Sequence, residues 1–310
     1  MMKPLVYVTR KLPDEIVNPL TEIAFVRMWD QEDIPVTRDV LLSETKEATA
    51  ILTMLTERID EELIDSCKQL KIVANMAVGY DNIDVEYARK KQIIVTNTPD
   101  VLTDTTADLT FALLMATARR LLEASDCIKR DEWKTWSPFF LAGTDVRIGE
   151  AVARRAKGFD MNILYHNRSR KPEAEKELNA RYCSFDELLK ESDFVVCLAP
   201  LTAETKHLFN QSAFHKMKKS AIFINASRGA LVDEKALYEA LTTGEIRAAG
   251  LDVFEQEPIR SDHPLANLPN VVALPHIGSA TYETRMKMAS LAVENIVSYL
   301  RDGKAVTPVE

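Results

Sequence analysis

The chain has 310 residues, of which 46% are hydrophobic and 28% charged, a composition typical of a globular protein large enough for two domains. The 47 acidic and 39 basic residues give a net charge of −8, which argues against a nucleic-acid-binding surface. No apolar run approaches the ~20 residues of a membrane span, and no signal-peptide pattern opens the chain, so we expect a cytoplasmic protein. The four cysteines lie apart, without CxxC spacing or a nearby histidine, and we expect no bound metal.

The first hundred residues alternate short β-branched runs with segments of helical spacing. The predicted strands are Leu5–Thr9, Phe25–Trp29, Ala50–Leu55, Ile72–Ala77 and Ile93–Asn97. The predicted helices between them are Asp14–Leu20, Thr37–Ser43, Asp60–Cys67 and Asp84–Lys90. Such alternation is typical of a parallel sheet with right-handed crossovers.

A long apolar helix is predicted over Thr103–Leu122, and a second strand–helix series follows it. Its strands are Asn162–His166, Phe194–Ala199, Ala221–Ala226, Ala248–Phe254 and Val271–Leu274, and its helices include Phe185–Glu191 and Glu234–Thr242. We therefore predict an α/β fold with two parallel-sheet domains: residues 1–100, completed by a final helix within 281–310, and residues 101–280. A ligand is expected between the domains, beyond the carboxyl ends of the strands.

Three late segments each place polar groups directly after an apolar strand: Ile224–Glu234, Gly250–Pro258 and Leu274–Thr281. Together they offer a guanidinium, two carboxylates and an imidazole, the set that a 2-keto acid reductase needs. Arginine binds a substrate carboxylate bidentately and polarises the keto oxygen, while histidine paired with a carboxylate donates a proton. Each residue alone has a structural explanation, but the combination in this order favours catalysis.

These segments resemble the closing signatures of the D-2-hydroxyacid dehydrogenases, and of the glyoxylate and hydroxypyruvate reductases in particular. The resemblance covers nearly the whole chain, and it implies two Rossmann-like or flavodoxin-like domains. It also implies Arg228, Glu257 and His276 as the catalytic set, with His276 as the acid/base. Substrate-binding positions implied in the same way are Leu55 with its neighbour Thr56, Val78 and Gly79 in the loop 77–82, and Trp136, which would reach the partner subunit of a homodimer.

The dinucleotide-binding unit is incomplete in the sequence. Such a unit opens with an apolar strand, a G-x-G-x-x-G turn and a helix. Gly149 matches the third glycine, but the polar residues Thr144 and Asp145 stand where the strand should end, and Arg147 follows Val146 directly. The nucleotide domain thus lacks its first strand and first two loop glycines, about ten to twelve residues.

Three explanations of this gap are open. The natural chain carries a segment that this sequence omits, which we favour, or a genuine deletion gives an inactive or misfolded product. Alternatively, Thr135–Val146 serves as a substitute strand, which its polarity disfavours.

The turn Asn167-Arg168-Ser169 after the second strand of this domain is neutral and basic, which suits the 2′-phosphate of NADP rather than the free 2′-hydroxyl of NAD. NADP(H) is therefore favoured over NAD(H), although a basic surface turn is the alternative interpretation. The resemblance adds further residues that border the cofactor: Thr106, Arg147, Ile148, Gly149, Leu198, Ala199, Pro200, Thr205, Ala226, Asp252 and Gly278.

The sequence as a whole predicts NADPH-dependent reduction of a small 2-keto acid, glyoxylate or hydroxypyruvate, to the 2-hydroxy acid. Two alternatives remain: a remnant of the enzyme that no longer binds cofactor, and a non-enzymatic dehydrogenase-like binding module, for which no tail or basic arm is evident. We expect a homodimer, because the Thr103–Leu122 helix carries apolar patches.

Overall fold

The structure is a computed structural model that describes residues 3–135, 137, 141, 150–159 and 161–309, with the backbone alone for Glu150 and Ala151. The strands are β1 (Leu5–Val8), β2 (Phe25–Met28), β3 (Ala50–Thr53), β4 (Ile72–Asn75), β5 (Ile94–Thr96), β6 (Ile163–Tyr165), β7 (Ala180–Tyr182), β8 (Phe194–Cys197), β9 (Ile222–Asn225), β10 (Ala248–Leu251) and β11 (Val271–Ala273). The helices are α1 (Asp14–Ile23), α2 (Arg38–Glu44), α3 (Glu61–Ser66), α4 (Val85–Lys90), α5 (Thr103–Ala118), α6 (Leu121–Lys129), α7 (Glu150–Lys157), α8 (Pro172–Leu178), α9 (Phe185–Glu191), α10 (Gln211–Lys216), α11 (Glu234–Thr243) and α12 (Tyr282–Asp302).

The chain divides into two compact units, which we call unit 1 (residues 1–103 and 280–310) and unit 2 (residues 104–279). Both units are α/β, with parallel strands joined by helices, as the sequence predicts. Among the described helices, none is long and apolar enough to cross a membrane.

Unit 1 is built on a five-stranded parallel sheet in the order β2-β1-β3-β4-β5. Every residue of the central strands β3 and β4 is buried, as expected for a parallel sheet covered by helices on both faces. On one face, α1 and α12 pack against the sheet. The other face packs against side chains from α2, α3 and α4.

The C-terminal helix α12 belongs to unit 1, where buried Asn295 fixes the chain that follows it. The Asn295 side chain donates to Thr307 Oγ1 at 2.9 Å and accepts from the amides of Val306 and Thr307 at 2.9 and 2.8 Å. Thr307 Oγ1 in turn donates to the carbonyl of Asn97 at 2.6 Å. The last residues are thereby joined to the end of β5, more than 200 residues earlier in the sequence.

Unit 2 contains two separate parallel sheets among its described residues. One has four strands in the order β11-β10-β9-β8, and the other has two, β6 and β7. Between β6 and β8 lies a cavity of about 1330 Å³, lined by residues of both strands and of the turns that follow them. The described strands on either side thus pair on one edge only.

The helix predicted over Thr103–Leu122 is shorter than expected. α5 ends at Ala118, and Arg120 has a left-handed φ of 53° before α6 begins. Several apolar residues of α5, among them Leu113 and Leu114, pack into the core of unit 2 with residues of β8, β9 and β10. Leu121 and Leu122, at the end of the predicted helix, are exposed at the start of α6, as is Ile128.

Candidate active site

In unit 2, polar and cofactor-candidate residues follow the carboxyl ends of four adjacent parallel strands. Leu198, Ala199 and Pro200 follow β8, Ala226 and Arg228 follow β9, Asp252 follows β10, and His276 lies just beyond β11. Since parallel strands bring their carboxyl ends to one edge of a sheet, these residues share the edge where open α/β sheets bind ligands.

The shortest polar contact at this edge joins His276 to Glu257. His276 Nδ1 lies 2.7 Å from Glu257 Oε2, and both side chains are about two-thirds buried. The second carboxylate oxygen of Glu257 accepts from the amide of Phe254 at 2.9 Å. Burial acts to raise the pKa of Glu257, but the hydrogen bonds from His276 and Phe254 outweigh it and lower that pKa overall. An ionised Glu257 therefore accepts a hydrogen bond from the imidazole of His276 and orients the ring.

The backbone of His276 is also constrained. Its φ of 54° lies in the left-handed region, which non-glycine residues adopt infrequently. The amide of His276 donates to the carbonyl of Asp252 at 2.9 Å, which ties the turn after β11 to the end of β10. Such strain persists only where surrounding contacts hold it, and it is common at functional sites.

A glutamate beside a histidine is not in itself distinctive in this chain. His207, His215 and His263 lie 3.0, 3.6 and 3.3 Å from glutamate oxygens. None of these three directly follows the end of a strand in the four-stranded sheet. Position at that edge, together with Arg228 and Asp252, separates His276 from the others.

Arg228 lies on a turn fixed by Asn225, the last residue of β9. The Asn225 side chain donates to the carbonyl of Arg228 at 3.0 Å and accepts from the amide of Ser227 at 3.1 Å. The next residue, Gly229, has no room for a side chain, because a Cβ there would lie 1.8 Å from the carbonyl carbon of Phe254. The arginine turn therefore packs directly on the segment that leads to Glu257.

Asp252 is almost fully buried at the end of β10. Its Oδ1 accepts from the amide of Ile277 at 2.8 Å, whereas its buried Oδ2 has no hydrogen-bond partner within the described structure. Burial raises the pKa of Asp252, opposed by the Ile277 hydrogen bond and the nearby charge of His276. A Cβ on Gly278 would lie 3.3 Å from Oδ2 and about 3.5 Å from Thr106, so these three residues form one small cradle.

The residues predicted to contact the outer part of a dinucleotide line the cavity between β6 and β8. Asn167, Arg168 and Ser169 follow β6 and are exposed, and on the opposite side lie Leu198, Ala199, Pro200 and Thr205. Thr205 Oγ1 donates to the carbonyl of Pro200 at 2.8 Å, which fixes that turn. The structure therefore brings these predicted positions together around one cavity of unit 2.

The predicted substrate-binding residues of unit 1 also follow strand ends. Leu55 follows β3, and Val78 and Gly79 follow β4. The carbonyls of Gly79 and Val78 accept from the side-chain amides of Asn75 and Asn97 at 2.8 and 2.9 Å, so this loop has a fixed main chain.

Sequence reasoning missed Glu57, whose side chain is buried beside Leu55. It accepts hydrogen bonds from Thr9 Oγ1 at 2.7 Å, Thr56 Oγ1 at 2.6 Å and the amide of Met54 at 3.0 Å, and it pairs with Arg10 at 3.1 Å. Glu57 thus holds the loop after β3 in one conformation. The sequence signal was weak, because Thr9 is 48 residues distant.

Four of the predicted site residues, Trp136, Arg147, Ile148 and Gly149, lie outside the described residues. Across the part of the chain that the structure describes, no group of three His, Cys, Asp or Glu side chains is arranged to hold a metal ion.

Comparison with known proteins agrees with this geometry. Residues 111–278 match the model of the D-isomer specific 2-hydroxyacid dehydrogenase NAD-binding domain. The glyoxylate reductase of Thermococcus onnurineus is 50% identical over 313 aligned positions, which cover 96% of this chain and 93% of that protein. That of Pyrococcus horikoshii is 49% identical, covering 97% and 94%. The chain belongs to the D-isomer specific 2-hydroxyacid dehydrogenases.

Solved structures of the 2-hydroxyacid dehydrogenase fold match over nearly the full length. A protein of Thermus thermophilus is 42% identical with a TM-score of 0.91, covering 99% of this chain and 100% of that one. The NADPH-dependent glyoxylate/hydroxypyruvate reductase of Sinorhizobium meliloti, solved with NADP and malonate, is 33% identical with a TM-score of 0.84, covering 99% and 97%. As a member of this family the chain is an oxidoreductase, and its cofactor is a nicotinamide dinucleotide.

The alignment with the glyoxylate reductase of Thermococcus onnurineus also shows that the relative has residues without a counterpart in this chain. The alignment spans 313 positions, which is more than the 310 residues of this chain. It nevertheless covers only 96% of those residues. Some residues of the relative therefore align with gaps in this chain.

Proposed function

We propose that this protein reduces glyoxylate or hydroxypyruvate to the corresponding 2-hydroxy acid with NADPH. The observation that carries the proposal is the His276–Glu257 pair, 2.7 Å apart, at the strand edge that also holds Arg228 and Asp252. The names of the relatives, glyoxylate reductase and glyoxylate/hydroxypyruvate reductase, support the same substrate class.

In this proposal His276 donates the proton that the keto oxygen needs when the carbonyl carbon is reduced. Its Nδ1 is engaged by Glu257, so Nε2 is the atom from which the proton leaves. Glu257 stabilises the charged imidazolium before the transfer and keeps the ring oriented. In the reverse direction the same Nε2 accepts the proton of the hydroxy acid.

Arg228 is proposed to bind the carboxylate of the keto acid and polarise its carbonyl. The turn that carries it is held by Asn225, and the guanidinium donates to the carbonyl of Ser227 at 2.9 Å. Leu55, Val78 and Gly79 of unit 1, and Trp136, stay predictions for substrate binding.

The cradle formed by Asp252, Gly278 and Thr106 fits a nicotinamide carboxamide. Asp252 Oδ2 is a buried acceptor without a partner within the described structure, and the carboxamide offers donors. When bound, the cofactor supplies the hydride. Ala226 and the Gly278 backbone are proposed to flank the nicotinamide ring, and the residues lining the β6–β8 cavity to bind the adenosine portion.

Replacement of His276 tests the mechanism. His276→Ala should lower the turnover number for glyoxylate by about 10²- to 10⁴-fold, because general acid catalysis contributes that much. The assay follows NADPH oxidation between pH 6 and 9. His215→Ala is the matched control, since His215 also faces a glutamate but is 80% exposed on α10, and it should be indistinguishable from the parent. An unchanged turnover number in His276→Ala contradicts the mechanism.

Preference for NADPH is proposed from Arg168, which is exposed where it lines the cavity. Arg168→Ala should lower kcat/KM for NADPH about 10-fold or more, the loss of one charge-assisted contact to a phosphate, and leave kcat/KM for NADH nearly unchanged. Arg170→Ala is the control, because Arg170 already pairs with Glu175 at 2.7 Å. Equal effects on both cofactors would mean that the turn is only a basic surface turn.

A homodimer is part of the proposal, and the exposed apolar side chains of α6 support it. Leu121, Leu122 and Ile128 are 53%, 49% and 63% exposed, a set of apolar side chains that a partner subunit would cover. Light scattering on the purified protein distinguishes monomer from dimer.

A second candidate function is a remnant of the enzyme that no longer binds cofactor. It is favoured by the division of the unit 2 strands into two sheets and by the sequence gap before Arg147. Titration of NADPH fluorescence with protein of verified intact mass separates the two. Quenching with micromolar affinity would eliminate the remnant hypothesis.

A further inference from the structure

The segment Phe254–Glu257 carries the carboxylate that pairs with His276, and it lies beyond the end of β10. Its position therefore depends on contacts made outside the sheet. The amide of Phe254 donates to Glu257 Oε1 at 2.9 Å, while Glu257 Oε2 lies 2.7 Å from His276 Nδ1. The direction of this carboxylate toward the imidazole thus depends on where the main chain at residues 254 and 255 is held.

Glu234, the first residue of α11, binds the next amide of the same segment. Its Oε1 accepts from the amide of Glu255 at 2.8 Å. The N-cap of α11 is a different residue, Asp233, whose side chain accepts from the amide of Ala236 at 3.1 Å. The carboxylate of Glu234 therefore binds the main chain of Glu255, and the cap of its own helix is supplied without it.

His263 contacts both Glu234 and the segment that Glu234 binds. Its Nε2 lies 3.3 Å from Glu234 Oε2, and both side chains are only 21% exposed. The imidazole also packs edge-on against the ring of Phe254, with ring centroids 5.4 Å apart. Because both oxygens of the Glu234 carboxylate have a partner, the acceptor for the Glu255 amide has a defined place.

Two further residues contact Glu255, from the loops that follow β8 and β9. A Cβ on Gly229 would lie 2.3 Å from the amide nitrogen of Glu255, and His207 Nε2 lies 3.0 Å from Glu255 Oε1. The contact of Glu234 differs from these, because it is a hydrogen bond to the amide adjacent to the one that Glu257 binds.

We propose that Glu234 is a positioning residue for the reduction of the keto acid: it holds the amide of Glu255 and thereby directs the Glu257 carboxylate at the imidazole of His276. Glu234 acts through Glu257 and takes no part in the proton transfer itself. The consequence for catalysis rests on the proposed function, whereas the hold on the main chain does not.

Hydrogen exchange tests the hold on the main chain without reference to activity. In Glu234→Ala the amide of Phe254 should exchange about 10-fold faster than in the parent, the effect of losing one hydrogen bond nearby, while the amide of Ile224 in β9 should be unchanged. Glu234→Gln keeps an acceptor oxygen and should leave the exchange at Phe254 close to that of the parent. Unchanged exchange at Phe254 in Glu234→Ala would overturn the proposal.

The kcat–pH profile with glyoxylate and NADPH tests the consequence for catalysis. Glu234→Ala should lower kcat about 10-fold or more at pH 9 and less at pH 6, because reduction needs a protonated imidazole and a displaced Glu257 no longer favours that form. KM for NADPH should be unchanged. Arg228 and Asp252, the other charged groups near Glu257 and His276, are the same in every variant.

Two comparisons separate positioning from a general loss of structure. A smaller fraction of folded enzyme would scale kcat by one factor at every pH, and that result would overturn the proposal. Glu234→Gln should restore most of kcat, and values equal to those of Glu234→Ala would also overturn it. Glu239→Ala, a change at an exposed glutamate of the same helix, is the matched control and should resemble the parent.

The two measurements distinguish this inference from the proposed function. If Glu234→Ala speeds exchange at Phe254 but the parent does not oxidise NADPH with glyoxylate, Glu234 still holds the segment and the proposed reaction fails. If the parent is active and Glu234→Ala has the same kcat–pH profile, the proposed reaction stands and the positioning role of Glu234 is refuted.

Discussion

Units 1 and 2 are built from the same strand–helix alternation but differ in the continuity of their sheets. In unit 1 the strands β1, β3 and β4 each pair on both sides within one five-stranded sheet. In unit 2 the described strands form a four-stranded and a two-stranded sheet on either side of a cavity. Among the described residues of unit 2, α7 packs against β6 and β8 although these two strands belong to different sheets.

Matched core substitutions test whether this difference affects stability. Ile72 in β4 and Ile163 in β6 are both almost fully buried, 0% and 2% exposed. Ile72→Ala should cost roughly 3–4 kcal/mol, within the range for aliphatic truncation in a close-packed core. Ile163→Ala should cost less, about 2 kcal/mol, at the lower end of that range, because its cluster is small and borders the cavity. Urea denaturation measures both, and equal losses would remove the energetic distinction between the sheets.

Within unit 1, a buried ion pair can be compared with an exposed one. Glu57 is fully buried with Arg10 and several hydroxyl groups, whereas the Arg27–Glu44 pair of the same unit is exposed. Glu57→Ala should cost about 3 kcal/mol, since it removes the ionic partner of Arg10 and the acceptor for Thr9 Oγ1 and the amide of Met54. Glu44→Ala, the control, should cost less than about 1 kcal/mol. A small effect of Glu57→Ala would show that the loop after β3 does not depend on this carboxylate.

The smallest expected effects on stability concern Glu257 and Asp252, the two carboxylates near His276. The pKa of one is lowered and that of the other is raised. The pKa of Glu257 is lowered, so its stabilising contribution is present above its unfolded value near 4.3 and is lost as pH falls through the folded value. The pKa of Asp252 is raised by burial, so its ionisation destabilises the fold as pH rises.

Stability profiles of Glu257→Gln and Asp252→Asn between pH 3 and 8 check these signs. The advantage of the parent over Glu257→Gln should grow with pH to about 1 kcal/mol or less, given the partial exposure of the pair. The difference between the parent and Asp252→Asn should run the other way. Parallel profiles would contradict the opposite shifts.

Much of the fold could be predicted because buried parallel strands are short apolar runs with polar groups after them. The four strands that carry Leu198, Arg228, Asp252 and His276 were predicted, with ends within a few residues. Strand β7 was not, since Ala180-Arg181-Tyr182 has no apolar β-branched residue. The end of α5 was missed because neither glycine nor proline marks it.

The residues proposed from the sequence each follow one strand, whereas the contact that was missed depends on several distant residues. Arg228, Glu257 and His276 come after strand ends in the sequence, and the family resemblance implies their roles. Glu57 depends on Thr9 and Arg10, which only the folded sheet brings near it. The division of the described unit 2 strands into two sheets likewise depends on which strands pair in the folded chain. The sequence indicated only where residues are missing, before Arg147.

Gly229 allows a close main-chain contact that links two parts of the site. Because it lacks a Cβ, the turn carrying Arg228 rests on the main chain of Phe254, whose amide in turn holds Glu257. The turn of Arg228 and the carboxylate of Glu257 are therefore both held against the main chain of Phe254. Any residue larger than glycine at position 229 would have to shift that main chain, and with it both groups that the proposed reaction uses.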